Sequence, residues 1–295
     1  MPILSTVMRA NMRALSPILK LGNMETARAL QKRTGELMSF AFRNSAESQL
    51  ISHAGFGMSM AQPVHTPAHG IALYLHGGGY VAGDLNYVKG YGAALASELG
   101  RRVLSVAYRL APEHPYSAAL EDAVEAYKYL LDMGYAGEDI AILGESAGGG
   151  LTFALALKLR DLGMPLPACL VAISPWTDLT LTGDSYTENE QSDPTLSMPM
   201  LEFYAESYAG DDRKNPYISP MYADLSGLPP TLIFVGGDEM LLSDSVDFAA
   251  RLNQAGVECE CHVEPGMWHV YVLYGIAEAR WALDQISDFL RDKLF

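Results

Sequence analysis

A serine between two glycines, Gly144-Glu-Ser146-Ala-Gly148, follows the apolar run Ile140-Ala-Ile-Leu143 and precedes a stretch with helical character. A serine hydroxyl is a weak nucleophile until a neighbouring base takes its proton. A tight strand-to-helix turn would push that hydroxyl out of the sheet, and only small residues at 144 and 148 leave room for such a turn. At the start of a helix the same serine lies beside free amides and the positive end of the helix dipole, which favour an oxyanion. The chemistry implied is nucleophilic attack on an electrophilic carbon. A second cluster, His76-Gly77-Gly78-Gly79-Tyr80, follows the apolar run Ile71 to Leu75. Three glycines expose backbone N–H groups with no side chains in the way, as a cradle for a tetrahedral oxyanion requires.

The serine needs a base, and the base an orienting carboxylate. Of the seven histidines, His53, His65 and His69 lie in a poorly patterned region, His114 sits in a proline-rich turn, and His262 falls inside an expected strand. His269, in the turn Glu264-Pro-Gly-Met-Trp-His269, would reach the same sheet edge as Ser146 and is the best candidate. His76 competes, but its place in the glycine cluster suits a support for that loop. For the acid, Asp238 and Glu239 both follow the apolar run Thr231 to Val235, and Ser243 is the first plausible N-cap of the next helix. Both carboxylates remain open at this point.

Elements must carry these groups to one place. Five short, almost wholly apolar runs, at 71–75, 103–107, 140–143, 169–173 and 231–235, read as strands buried on both faces. Helix-like stretches at 88–99, 117–132, 147–162 and 243–255 lie between them, with Gly100, Gly134, Gly163 and Gly256 where C-caps belong. Strand-helix-strand repetition predicts an α/β fold with a mostly parallel sheet and right-handed crossovers. Two further strands are expected within 48–66, an edge strand at 258–263, and a closing helix at 275–292. Both glycine motifs then fall at carboxyl ends of parallel strands, where open sheets place their sites.

Residues 1–45 hold seven basic and two acidic side chains in a chain whose net charge is −15. The segment reads as two short amphipathic helices broken at Ser16-Pro17, docked on an acidic body; a transit peptide or membrane-surface helix is the alternative. Residues 174–229 form a connection far longer than usual, with ten acidic side chains. Their aromatic and methionine-rich part, Met198, Met200, Leu201, Phe203, Tyr204 and Tyr208, is either a helix over a pocket or a subdomain with its own small core. Such acidity disfavours nucleic acid as a partner. The absence of a long apolar run excludes a membrane-spanning helix. Cys169, Cys259 and Cys261 lack metal or redox spacing and are expected to pack in a reducing, cytoplasmic setting.

His76-Gly-Gly-Gly79, Gly144-Glu-Ser-Ala-Gly148 and Tyr108-Arg-Leu-Ala-Pro-Glu-His-Pro-Tyr116, in this order, resemble the hormone-sensitive-lipase branch of the α/β-hydrolases, the bacterial family IV esterases. The resemblance runs from about residue 70 to the end. It implies an eight-stranded sheet flanked by helices, with a helical cap built from 1–45 and helped by the 174–229 insertion over a catalytic domain of 46–295. It also implies hydrolysis of short-chain carboxylic esters without metal or cofactor. The family's nucleophile falls on Ser146, its base on His269, and its oxyanion amides on Gly78, Gly79 and Ala147, with His76, Gly77, Gly144 and Gly148 as motif support. Its acid falls on Glu239, where glutamate replaces the usual aspartate of the motif; Asp238 is the alternative. Ser117 stands where the family normally has proline. An amidase or lactonase using the same groups, or a non-catalytic binder of a small ligand, are the rival functions. The expected partner is a small ester, and the strand at 258–263 offers an edge for homodimerisation.

Overall fold

Apolar runs short enough to cross a sheet once and covered on both faces become its interior strands. The computed structural model describes residues 3–20 and 24–294. Helices α1 (Ile3–Lys20) and α2 (Met24–Ala41) precede the strands β1 (Ala46–His53), β2 (Phe56–Pro63) and β3 (Ile71–Leu75). Next come α3 (Leu85–Leu99), β4 (Arg102–Ala107), α4 (Ala118–Asp132), β5 (Ile140–Glu145), α5 (Ala147–Asp161) and β6 (Cys169–Ile173). The long connection carries α6 (Ser185–Glu188) and α7 (Met198–Ala209), and β7 (Thr231–Gly236), α8 (Leu242–Gln254), β8 (Cys259–Glu264) and α9 (Ala277–Lys293) complete the chain.

The eight strands form one sheet in the order β1-β2-β4-β3-β5-β6-β7-β8. Strand β2 runs antiparallel to both neighbours and every other pair is parallel. Ala54 and Gly55, both at positive φ, make the two-residue turn that joins β1 to β2. Along β3 the pleat sends Ile71, Leu73 and Leu75 into a core with residues of α4, α5 and α8, and Ala72 and Tyr74 into a second core with α3 and α9. Strand β8 is the expected edge. Its Cys259 and Cys261 are free thiols packed against the first core.

Two local expectations differ from the structure. Helix α1 passes through Ser16 and Pro17 without a break and runs to Lys20. Ser243 does not cap α8: it lies inside the first turn, and its hydroxyl accepts the Ser185 N–H (2.9 Å) while Ser185 Oγ accepts the Ser243 N–H (2.9 Å). A serine of the insertion thus satisfies the amide that a cap would have served. The peptide at Tyr116–Ser117 is cis, at the position where the resembling family has proline. In α7, Leu201, Tyr204 and Tyr208 join the main core rather than a separate one, and Phe203 faces outward at 47% exposure.

Candidate active site

Strand β5 ends at Glu145, and Ser146 turns the chain into α5 at φ 55° and ψ −123°. That is left-handed backbone for a non-glycine residue and costs about 1–3 kcal/mol. Contacts on both sides hold it. The Ser146 N–H donates to the Ile173 carbonyl (2.9 Å), and the Ser146 carbonyl accepts from Gly150 and Trp176. A Cβ on Gly144 would meet the Gly148 carbonyl, and one on Gly148 the Leu75 carbonyl, so neither position takes a side chain.

The hydroxyl so displayed lies 2.9 Å from His269 Nε2, and His269 Nδ1 lies 3.2 Å from Glu239 Oε1. Because a carboxylate accepts only, Nδ1–H is the donor and Nε2 is free to accept from the serine. Glu239 is fully buried; its Oε2 accepts the Ser174 hydroxyl (2.8 Å) and the Gly236 N–H (2.9 Å). Ser174 Oγ in turn accepts the Val270 N–H (3.0 Å), pinning the residue after the histidine. Burial by itself lowers the imidazole pKa, but the hydrogen bond and charge of Glu239, with the charges of Asp193 and Glu145, outweigh it and raise the value above the usual 6.5. Asp238 faces elsewhere. Its carboxylate pairs with Arg9 of α1, whose guanidinium also donates to the Gly266 carbonyl (2.7 Å).

The glycine loop lies across from the serine. Gly78 and Gly79 have φ of 113° and 62°, and their N–H groups make no internal hydrogen bond among the described residues. Ala147 opens α5, so its amide has no helical partner. His76 is buried, donates Nδ1–H to the Gly77 carbonyl (2.6 Å) and stacks on Tyr108 at 4.0 Å. Burial pushes its pKa down to about 4, so it stays neutral. A cavity of about 170 Å³ opens on these groups, lined by Gln31 of α2, Leu196, Met200, Leu201 and Tyr204 of the insertion, and Trp176. A roomier surface depression of about 480 Å³, around Arg28, Lys32, Glu113 and His114, shares none of these residues.

The sequence reading missed several supports. Ser174 follows an apolar strand directly, as the elbow does, and that position was its one signal. Asn189 donates to the Gly237 and Glu239 carbonyls, Ser192 to the Asp238 carbonyl, and the buried Asp193 carboxylate accepts the Met240 N–H (2.9 Å). These residues hold the acid's loop from within the insertion, and nothing in their spacing announces it.

A family model described as alpha/beta hydrolase fold matches residues 72–273. An acetyl-hydrolase of Streptomyces hygroscopicus is 41% identical over 222 residues, 74% of each chain. An esterase of Acinetobacter venetianus is 38% identical, again across 74% of each chain. Among solved structures, an esterase from the bacterial hormone-sensitive lipase family superposes with a TM-score of 0.93 at 34% identity and full coverage of both chains. With this fold, these motifs and these relatives, the chain belongs to the alpha/beta hydrolase family, in its hormone-sensitive-lipase-like esterase branch.

Proposed function

We propose that this hydrolase cleaves short-chain carboxylic esters through Ser146, His269 and Glu239. One observation carries the reading: a serine hydroxyl, an imidazole and a buried carboxylate stand in hydrogen-bonded series at 2.9 and 3.2 Å beside a small cavity. His269 Nε2 takes the hydroxyl proton as Oγ attacks the ester carbonyl. Charge on the carbonyl oxygen is met by the amides of Gly78, Gly79 and Ala147, which supply donors without moving. The imidazolium, stabilised by Glu239, returns its proton to the departing alcohol and leaves an acyl group on Ser146. Water, deprotonated by the same imidazole, then attacks the acyl-enzyme, and Ser146 is regenerated with its proton.

The cavity, at about 170 Å³, is below the roughly 300–1,000 Å³ of sites for larger ligands, which favours a short acyl group. In the same reading, α1, α2 and the 174–229 segment act as the cap, since Gln31, Met200, Leu201 and Tyr204 close the cavity and Arg9 ties α1 beside the acid's loop. A purely ligand-binding role would not call for the complete relay.

Labelling with a fluorophosphonate followed by peptide mapping is expected to mark Ser146. Ser146→Ala is expected to abolish labelling and to lower kcat on p-nitrophenyl butyrate by up to about 10⁶-fold. Normal turnover by this variant, purified free of host esterases, would refute the assignment.

A further inference from the structure

We infer that Glu145 is a positioning residue for this reaction: from the end of the strand that precedes the nucleophile, its carboxylate holds the glycine loop in register with Ser146 and adds negative charge to the pocket of His269. The inference rests on the ester-hydrolysis reading above and extends it to a residue that is not part of the relay.

Glu145 is 1% exposed, yet it is a carboxylate. Its Oε1 accepts the Gly77 N–H at 2.6 Å and the Tyr87 hydroxyl at 3.2 Å, while Oε2 has no hydrogen-bond partner among the described residues. The Gly77 carbonyl is gripped from the other side by His76 Nδ1–H (2.6 Å) and, more loosely, by Gln31 Nε2 (3.5 Å). Gly77, the residue just before the two amides proposed for the oxyanion, is therefore held at both its N–H and its carbonyl, and that carbonyl shares a peptide unit with the Gly78 amide. The loop also lies close to the elbow, since a Cβ on Gly77 would stand 3.0 Å from both the Glu145 carbonyl and Ser146 Cβ. Because Glu145 and Ser146 are consecutive, the clamp ties cradle and nucleophile to one strand end.

A carboxamide could accept both hydrogen bonds without the penalty of burying charge, which amounts to several kcal/mol per ion. Positioning alone does not explain the acid. The titratable groups facing it are Tyr74 from β3, Tyr87 and Tyr91 from α3, Tyr108 after β4, and His269 after β8, with His76 beside the clamped Gly77. The four tyrosines are held neutral by burial, and so is His76. His269 alone in that set gains positive charge during turnover. Glu145 and His269 line the same cavity, and the Glu145 charge favours the imidazolium. Desolvation, offset in part by the Gly77 hydrogen bond, raises the Glu145 pKa to about 7, so the charge is carried chiefly above that pH.

The test compares Glu145→Gln, Glu145→Ala and Glu145→Asp with the parent and with Ser146→Ala, measuring kcat and KM on p-nitrophenyl butyrate from acid to mildly alkaline pH, together with Tm. Ala, which removes the acceptor, and Asp, which draws it back, are expected to lower kcat by about 10- to 100-fold with KM within a few-fold, because oxyanion contacts strengthen in the transition state. Gln, which keeps the acceptor and loses the charge, is expected to lose several-fold less. Its acidic limb of kcat/KM should move to lower pH by at least about 0.3 unit. An Ala variant with parental kcat, or a Gln variant whose limb does not move, overturns the inference, even if Tm falls. Gln is nearly isosteric and keeps the test open if Ala does not fold. Inactive Ser146→Ala beside unaffected Glu145 variants refutes this inference alone, whereas active Ser146→Ala refutes the reading beneath it.

Discussion

Two adjacent acids, Asp238 and Glu239, follow the same strand, and one peptide unit sends them to opposite tasks. Glu239 turns inward to the imidazole and is fully buried; Asp238 turns outward to Arg9. A carboxylate that orients the base and stabilises its charged form is worth about 10⁴-fold in kcat in comparable relays. Glu239→Ala is accordingly expected to lose about that factor, and Asp238→Ala to stay within about tenfold. Steady-state kinetics on one ester decides it, and a greater loss in the aspartate variant would reverse the roles. Because His269 has a raised pKa and must be neutral to act as base, the acidic limb of kcat/KM should lie above 6.5.

Among the elements, α7 narrows the cavity beside Ser146. It rises from the long insertion with Leu201 and Tyr204 turned inward, and the Tyr204 ring packs against Gly79 of the proposed cradle. The family resemblance implies a peak of activity on p-nitrophenyl esters between about two and eight acyl carbons, and the small cavity is consistent with that range. Tyr204→Ala enlarges the cavity and should move the peak to longer or bulkier acyl groups. A chain-length series on both proteins checks this; a parental optimum beyond about twelve carbons, or an unmoved optimum in the variant, would contradict it.

Over the whole molecule, the insertion is bound to α8 by a buried acid. Asp244 Oδ2 accepts the N–H groups of Thr177 (2.7 Å) and Asp178 (2.8 Å). Desolvation, strengthened by the nearby Asp178 charge, pushes its pKa to about 8 against these hydrogen bonds. The folded chain therefore keeps a proton here that the unfolded chain releases near pH 3.8, and the stability this contributes is lost as pH rises toward 8. Glu145, raised to about 7, acts in the same direction. The acids lowered by partners, such as Glu113, Glu121 and Glu202, lose their contribution only in more acidic solution, as pH falls below their ordinary value of 4.5. Asp244→Asn keeps an acceptor for both amides and removes the titration. Its Tm should change less between mildly acidic and mildly alkaline pH than the parent's, by at least about 3 °C; an equal decline in both proteins would show that Asp244 does not titrate in this range.

Strand positions, crossover helices and the two glycine motifs were legible in the sequence because each rests on local physics: alternating or continuous apolar runs, the small residues a cramped turn demands, and glycines that end helices. Those rules also brought Ser146, His269 and the Asp238–Glu239 pair to one edge of the sheet. They could not tell which acid turns inward, since neighbours on an irregular loop differ by a rotation that depends on Ser174 and Arg9, both distant in sequence. They misplaced the end of α1, which runs on through Ser16 and Pro17, and the start of α8, where a serine from elsewhere replaces a cap. The closure of the cavity by Gln31, and the grip of Glu145 on Gly77, exist only after folding, because long-range contacts create them and no residue spacing encodes them.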